Sequence, residues 1–377
     1  MSASPTDYVS EFAHALENPK EVIDEISRSG KKAVGYFCTY TPVESIHAAD
    51  AVPIRISGGP MRIDRADGLV PSFVCPYMRA GLERALAGDY ENLFGLIQGY
   101  TCDVACGMFN VWKGNIPLSF SHILSLPYGD HKEARRFFEE ELSNLTGRLA
   151  DHDLKMSDAA LSRSLDLYAD IRRTVLGLYA KRYDGALPLT AGDFYTVVQG
   201  VQAMPPERAG ELLSGLVSSL ETDSEGNTQT HDSMPILVSG SLVEDRSIFD
   251  LIEQSGGRIA ADDLCTGLRH FDPPTTDGET AVSRLIDRYV ARFPCPSRQR
   301  ARHRIPLLVD LARRSGARGV VFLIQKFCTP HLTDIPLLGQ GLREADLPYL
   351  IIEMEETGVM EGQAATRLQG FFEMLGD

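Results

Sequence analysis

The sequence has no stretch of about 18 uninterrupted apolar residues, the length that a membrane-crossing helix needs. Its opening, MSASPTDYVSEFAHALENPKE, holds no apolar core of signal-peptide length. The chain is therefore expected in the cytoplasm and off the membrane. It is also short of positive charge, with 37 Lys and Arg against 52 Asp and Glu for a net charge of -15. A protein that tracks a phosphate backbone gains affinity by displacing counterions with Lys and Arg, so no nucleic-acid partner is expected. Heptads, low-complexity tracts and short tandem repeats are absent, which argues against coiled coils and solenoids.

Compact metal motifs are missing too. The seven cysteines, Cys38, Cys75, Cys102, Cys106, Cys265, Cys295 and Cys328, include no CxxC pair and no ferredoxin-like run. The nearest spacing is the CxxxC of Cys102 and Cys106. An odd number cannot all pair within one chain, and a reducing cytoplasm disfavours structural disulfides. The cysteines are then either buried small hydrophobes or ligands.

What is present is an ordinary globular composition, 43% hydrophobic and 24% charged over 377 residues, enough for two domains with a helical insert. Phe12, Leu16, Val22, Ile23 and Ile26 stripe one opening helix that ends at Ser29 and Gly30. A strand over 33–38, a helix over 42–49 with proline in its first turn, and a strand over 52–56 make a strand–helix–strand unit. Cys75 and Pro76 start a further helix, and a strand over 93–98 delivers Thr101, Cys102 and Asp103. Helical spacing then runs from about His131 to Leu220, and the polar stretch Glu221 to Ser233 is the candidate linker. After it come strands over 235–239, 258–262, 319–325 and 349–353. Helices are expected over 247–254, about 281–292 and 306–314, after Pro330, and over 363–375. Alternation of this kind implies a parallel sheet covered on both faces. The domains are taken as 1–130 α/β, 131–220 helical connector and 234–377 α/β.

In open parallel sheets ligands collect at the carboxyl ends of strands. Cys38, Cys102, Cys265 and Cys328 each fall at such an end, and Cys75 begins the helix beside one. Any one of them can equally be a small residue filling a gap beside a turn, but several together point to a site. Spacing alone does not identify its ligands.

Several segments resemble the 2-hydroxyacyl-CoA dehydratase D-component family, which includes benzoyl-CoA reductase cluster subunits. They are Gly35 through Glu44 with His47, Ala48, Ala49, Pro53, Ile54 and Arg55; Cys75-Pro76 with Arg79 and Leu82; and Thr101-Cys102-Asp103 followed by Trp112. Asp262 through Arg269, Lys326-Phe327-Cys328 with Asp334 and Pro336, and the ending from Glu353 through Thr366-Arg367 to Glu373 complete the set. The resemblance spans nearly the whole chain. It implies two Rossmann-like parallel-sheet α/β domains with a helical connector and a [4Fe-4S] cluster between them, held by Cys75, Cys102 and Cys328 with one iron free of a protein thiolate. An open iron can bind water, sulfide or a substrate oxygen. It also implies an acyl-CoA substrate, a related subunit or a second copy as partner, and a separate ATP-dependent iron–sulfur activator. That activator injects one low-potential electron, which forms a ketyl radical on the thioester. Dehydration and ring reduction are both open.

Glu44 is the acid/base candidate, near the first strand's end and one turn from His47. A carboxylate facing a dry cluster can have a raised pKa, and a helix N-terminal Glu stabilised by the dipole is the plainer alternative. His47 reads more simply as a hydrogen-bonded packing residue. Asp262 and Asp263 read as turn caps. Arg269, Lys326 and Arg367 are candidates for CoA phosphates or for ordinary salt bridges, and Trp112 is a core anchor. The extra cysteines keep two further readings open. One is a homodimeric reductase of small molecules with a double-cubane [8Fe-9S] cluster, and the other is an electron-relay subunit without a substrate pocket. Cys106 by itself reads as a buried helix residue.

Overall fold

The structure is a computed structural model that describes residues 3–222, 233–355 and 361–376. The first sheet comprises β1 (Lys32–Tyr36), β2 (Ala51–Arg55), β3 (Gly95–Gly99) and β4 (Phe120–Leu124); the second comprises β5 (Met234–Gly240), β6 (Gly257–Asp262), β7 (Gly319–Gln325) and β8 (Tyr349–Met354). Both are parallel and share one topology, with spatial orders β2-β1-β3-β4 and β6-β5-β7-β8. These are two Rossmann-like α/β units. In each, the chain moves to one side of its first strand and then crosses to the other, so a switch point lies between β1 and β3 and another between β5 and β7.

Both faces of each sheet are covered, which explains why the strands read as apolar runs rather than strict alternations. Successive residues serve opposite cores. Ala33, Leu96, Ile236, Val238, Val321 and Leu323 join a large core continuous between the two units, whereas Val34 and Ile97 pack with the first unit's outer helices and Leu237, Val320 and Phe322 with the second's.

The helices before and within the first unit are α1 (Pro5–Glu17), α2 (Pro19–Arg28), α3 (Val43–Ala48), α4 (Pro76–Ala87) and α5 (Asp103–Asn115). The single opening helix expected from the apolar stripe is two, because Pro19 takes the first position of a new helix after Asn18. The helical stretch is α6 (Lys132–Ala150), α7 (Asp158–Tyr183), α8 (Ala191–Gly200) and α9 (Pro206–Thr222). Helix α7 touches α3 of the first unit and β6 of the second. Glu221 and Thr222 of the expected linker close α9, Ser233 precedes β5, and 223–232 lie outside the described residues.

The second unit holds α10 (Ser247–Gln254), α11 (Leu268–Phe271), α12 (Ala281–Ala291), α13 (Ala301–Arg314), α14 (Thr329–Glu344) and α15 (Glu361–Gly376). Helix α13 begins at Ala301 and carries Pro306 inside it, not at its start. Strand β4 was not evident in the sequence, since the edge segment FSHIL mixes polar and apolar residues. Among the described residues no helix is long and apolar enough to cross a membrane.

Candidate functional site

The carboxyl ends of the two sheets meet across a cavity of about 420 Å³. Its walls include Cys38, Cys75, Cys102, Cys265, Cys295 and Cys328, six of the seven cysteines. The seventh, Cys106, lies one turn into α5 and is not part of this lining.

Cys75, Cys102 and Cys328 share a local structure that the sequence only partly announced. Each is the residue that caps a helix N-terminus, of α4, α5 and α14 respectively. Such a position turns free backbone N–H groups and the positive end of the helix dipole toward the sulfur, which favours a thiolate. The Ala105 amide donates to Cys102 Sγ at 3.4 Å, and the Met78 and His331 amides act in the same sense on Cys75 and Cys328. Burial opposes them and outweighs them. It pushes Cys75 up to about 12 and raises Cys102 and Cys328. A metal that displaces the protons would offset that cost of burial.

Cys38, Cys265 and Cys295 form a second neighbouring set. Burial pushes Cys38 up to about 12, and Cys265 and Cys295 add to the rise. For Cys265 burial is again the largest influence, yet the Arg55 and Arg269 guanidinium groups outweigh it and hold the thiol below its usual value. Arg55 Nη2 reaches Cys265 Sγ at 3.5 Å. Cys295 Sγ accepts from the Ser297 amide at 3.4 Å.

Arg269, fully buried in the cavity wall, donates through Nη2 to the Asp263 carboxylate at 3.2 Å. Among the described residues its Nε and Nη1 have no partner. Gln98 leaves its Oε1 equally unsatisfied. The donor set is thiol-rich, with unspent guanidinium N–H groups behind it. That chemistry suits an anionic iron–sulfide core, since soft thiolates select such clusters and hydrogen bonds to sulfur tune them. Among the described residues no three Cys, His, Asp or Glu side chains close on a single ion.

The acid/base candidates lie elsewhere. Glu44 is fully buried and absent from the cavity lining. Its Oε1 pairs with Arg172 and lies 3.9 Å from Arg288, and Tyr289 donates to Oε2 at 2.8 Å. Burial raises its pKa, but Arg172, Arg288 and Arg292 outweigh it and hold the carboxyl down at about 2. These are the surroundings of a carboxylate kept ionised, not of one with a raised pKa. His47 is also outside the cavity, with Nδ1 3.0 Å from Ser164 Oγ and Nε2 3.0 Å from Glu207.

The remaining candidates also resolve. Asp262 Oδ1 accepts from the Leu264 and Leu268 amides, both at 2.9 Å, as the turn-capping reading requires; its Oδ2 accepts from Tyr179 at 2.6 Å and Tyr195 at 2.8 Å. Asp263 is instead an ion-pair partner, of Arg269 at 3.2 Å and Arg304 at 3.5 Å. Lys326 pairs with Glu355 at 2.6 Å, Arg367 is exposed on α15, and Trp112 is buried edge-to-face on Phe37 at 5.3 Å. Sequence reasoning missed Glu244, which accepts from the Gly58 and Gly59 amides at 3.0 and 3.2 Å and so ties the second unit to the approach of α4. Only the Gly58-Gly59 pair hinted at a bound backbone there.

Comparison with known proteins gives a consistent picture. Residues 38–375 match the family described as "2-hydroxyglutaryl-CoA dehydratase, D-component". The chain is 23% identical over 379 residues to the "(R)-phenyllactyl-CoA dehydratase beta subunit" of Clostridium sporogenes, with 98% of each covered. It is 27% identical over 374 residues to the "Lactoyl-CoA dehydratase subunit beta" of Anaerotignum propionicum, covering 97% of this chain and 98% of that one. Against a benzoyl-CoA reductase subunit of Thauera aromatica it is 24% identical over 352 residues, 88% of each.

Proposed function

This chain belongs to the 2-hydroxyglutaryl-CoA dehydratase D-component family, and we propose that it is the cluster-bearing subunit of a cytoplasmic 2-hydroxyacyl-CoA dehydratase or benzoyl-CoA reductase type enzyme. The substrate is an acyl-CoA thioester. A related subunit is its partner, in keeping with relatives that are themselves named as subunits, and a separate ATP-hydrolysing iron–sulfur activator is its electron source.

The observation that carries this reading is the placement of Cys75, Cys102 and Cys328 on three helix N-termini around one cavity. Those residues would hold a [4Fe-4S] cluster, which when bound supplies low-potential one-electron chemistry for the thioester. The chain does the rest. Backbone amides of α4, α5 and α14 favour the thiolate forms, the buried Arg269 guanidinium puts a positive charge in the same wall, and apolar side chains such as Phe37 and Met78 lower the polarity of the space. Glu44 takes no part in proton transfer here; its ion pairs anchor α3 to α7 and α12. Purification without air, followed by iron and sulfide determination, tests the reading. About four irons per chain are expected on the stoichiometry of such a cluster, and an iron-free anaerobic protein overturns it.

One observation favours a second reading. Cys38, Cys265 and Cys295 line the same cavity beside the first three cysteines, so the chain has thiols enough for a double-cubane [8Fe-9S] cluster in a homodimeric reductase. Roughly twice the iron per chain, lost in part on replacing Cys265 or Cys295 with Ser, would select it.

A further inference from the structure

Helices α4, α5 and α14 present the cavity with more than their cysteines. The third residue of each, Met78, Ala105 and His331 respectively, borders the same space. Its amide is also the one that acts on the sulfur at the start of that helix. In a capping box the side chain of the third helical residue reaches back to the capping residue, so a side chain at that position is a neighbour of the capping sulfur. Ala105 has no donor atom there and Met78 only a weak thioether, but His331 brings an imidazole.

His331 is 6% exposed, and among the described residues neither of its ring nitrogens has a hydrogen-bond partner. The unpaired Nε2 of His122 is sealed inside the protein; the ring nitrogens of His331 are not sealed, and the space that His331 borders is the thiol-lined cavity. Unmade hydrogen bonds on a ring so buried are costly unless something in that space completes them. Burial, and after it the guanidinium groups of Arg304 and Arg269, keep the ring neutral, the form in which imidazole ligates metals.

The segment Cys328-Thr329-Pro330-His331 also has a ligand spacing. Two residues separate its donors, as in the Cys-x-x-Cys steps with which ferredoxins hold a single cluster, and Pro330 fixes the first turn of α14 between them. We propose that His331 is a nitrogen ligand of the cluster, on the iron that Cys75, Cys102 and Cys328 leave free. The inference rests on the cluster proposed above and goes beyond it in closing the vacant corner with a side chain of this chain. An imidazole brings no negative charge where a thiolate brings one, so it sets a higher reduction potential than a fourth cysteine would, as histidine does in Rieske centres.

Pulsed electron paramagnetic resonance of the reduced cluster tests it, in full-length protein made without air from cells fed heavy-nitrogen histidine. A coupling of the size of a directly bonded nitrogen is expected, and His331→Ala should lose it. Cyanide should alter the spectrum of His331→Ala, whose iron is open, and leave that of the wild type unchanged. His331→Cys should keep its iron and titrate at a lower potential than the wild type. Iron-loaded wild type without a histidine coupling overturns the inference and leaves the cluster standing, as does a coupling that survives in His331→Ala. If His331→Ala does not fold, the labelled wild type decides alone, because among the described residues His331 is the only histidine that borders the cavity. Iron-free anaerobic protein defeats the function proposed above, and this inference with it.

Discussion

Cys102 and Cys328 stand at the same place in two different sheets. Each caps the helix that leaves the third strand of its unit in chain order, α5 after β3 and α14 after β7. Two copies of one topology thus bring two sulfurs to a shared cavity from opposite sides, each on a helix N-terminus. Neither is close in sequence to the other, and nothing in their local spacing announces the relationship.

Replacing Cys75, Cys102 or Cys328 with Ser should abolish or strongly reduce iron retention in protein prepared without air. Cys106→Ser, one turn beyond the cavity on α5, should leave it unchanged. Iron and sulfide counts read the outcome, with circular dichroism to show that the variants fold. Full iron in the Cys328 variant would remove that residue from the ligand set.

Much of this architecture was legible in the sequence because most of the strands are short apolar runs that end in a turn. The expected strand over 319–325 and helix over 247–254 coincide with β7 and α10. What escaped depended on partners. Strand β4 is an edge whose middle residues Ser121 and His122 are only half-buried, so its pattern is weak. Glu44 looked poised beside a strand end, but its role is set by Arg172, Arg288 and Tyr289, which arrive from α7 and α12 far along the chain. Cys295 was one of seven thiols with no motif; folding the segment before α13 over the cavity is what brings it to the others.

Glu44→Gln should be strongly destabilising. Removing one partner of a buried pair leaves Arg172 and Arg288 uncompensated, a loss of about 3–5 kcal/mol in comparable cases, readable by denaturant unfolding. The same group sets a pH dependence. Its carboxyl lies near 4.5 when unfolded and at about 2 when folded, so its contribution is complete above the unfolded value and drains away as pH falls toward 2. Linkage at about 1.4 kcal/mol per pH unit puts this at roughly 3 kcal/mol. Glu44→Gln should flatten that part of the acid limb, and an unaltered limb would show that Glu44 is not held as an anion.

Asp262→Asn should loosen the turn that carries Cys265. The native carboxylate accepts two tyrosine hydroxyls and two backbone amides, and an amide must turn a donor toward one of those donor groups. A penalty of about 1–3 kcal/mol follows from a buried hydrogen bond left unmade. Faster amide exchange across 264–268, with the sheet interior unchanged, is the expected signature.

Gly58 and Gly59 separate packing from backbone strain at the approach to Cys75. A Cβ on Gly58 would lie 2.2 Å from Ala80 Cβ and 2.6 Å from the Ala80 carbonyl carbon, both on α4, where no flexible side chain can give way. Gly58→Ala must therefore push α4 or break the Gly58 amide's 3.0 Å bond to Glu244, an overpacking cost of about 1–3 kcal/mol. Because α4 begins at Cys75, that displacement should also weaken iron retention. Gly59 has open space around it but a φ of +69°, so Gly59→Ala should cost only about 1–2 kcal/mol of left-handed strain and keep its iron. Equal iron loss in both variants would mean that the close fit of α4 against Gly58 does not position the Cys75 sulfur.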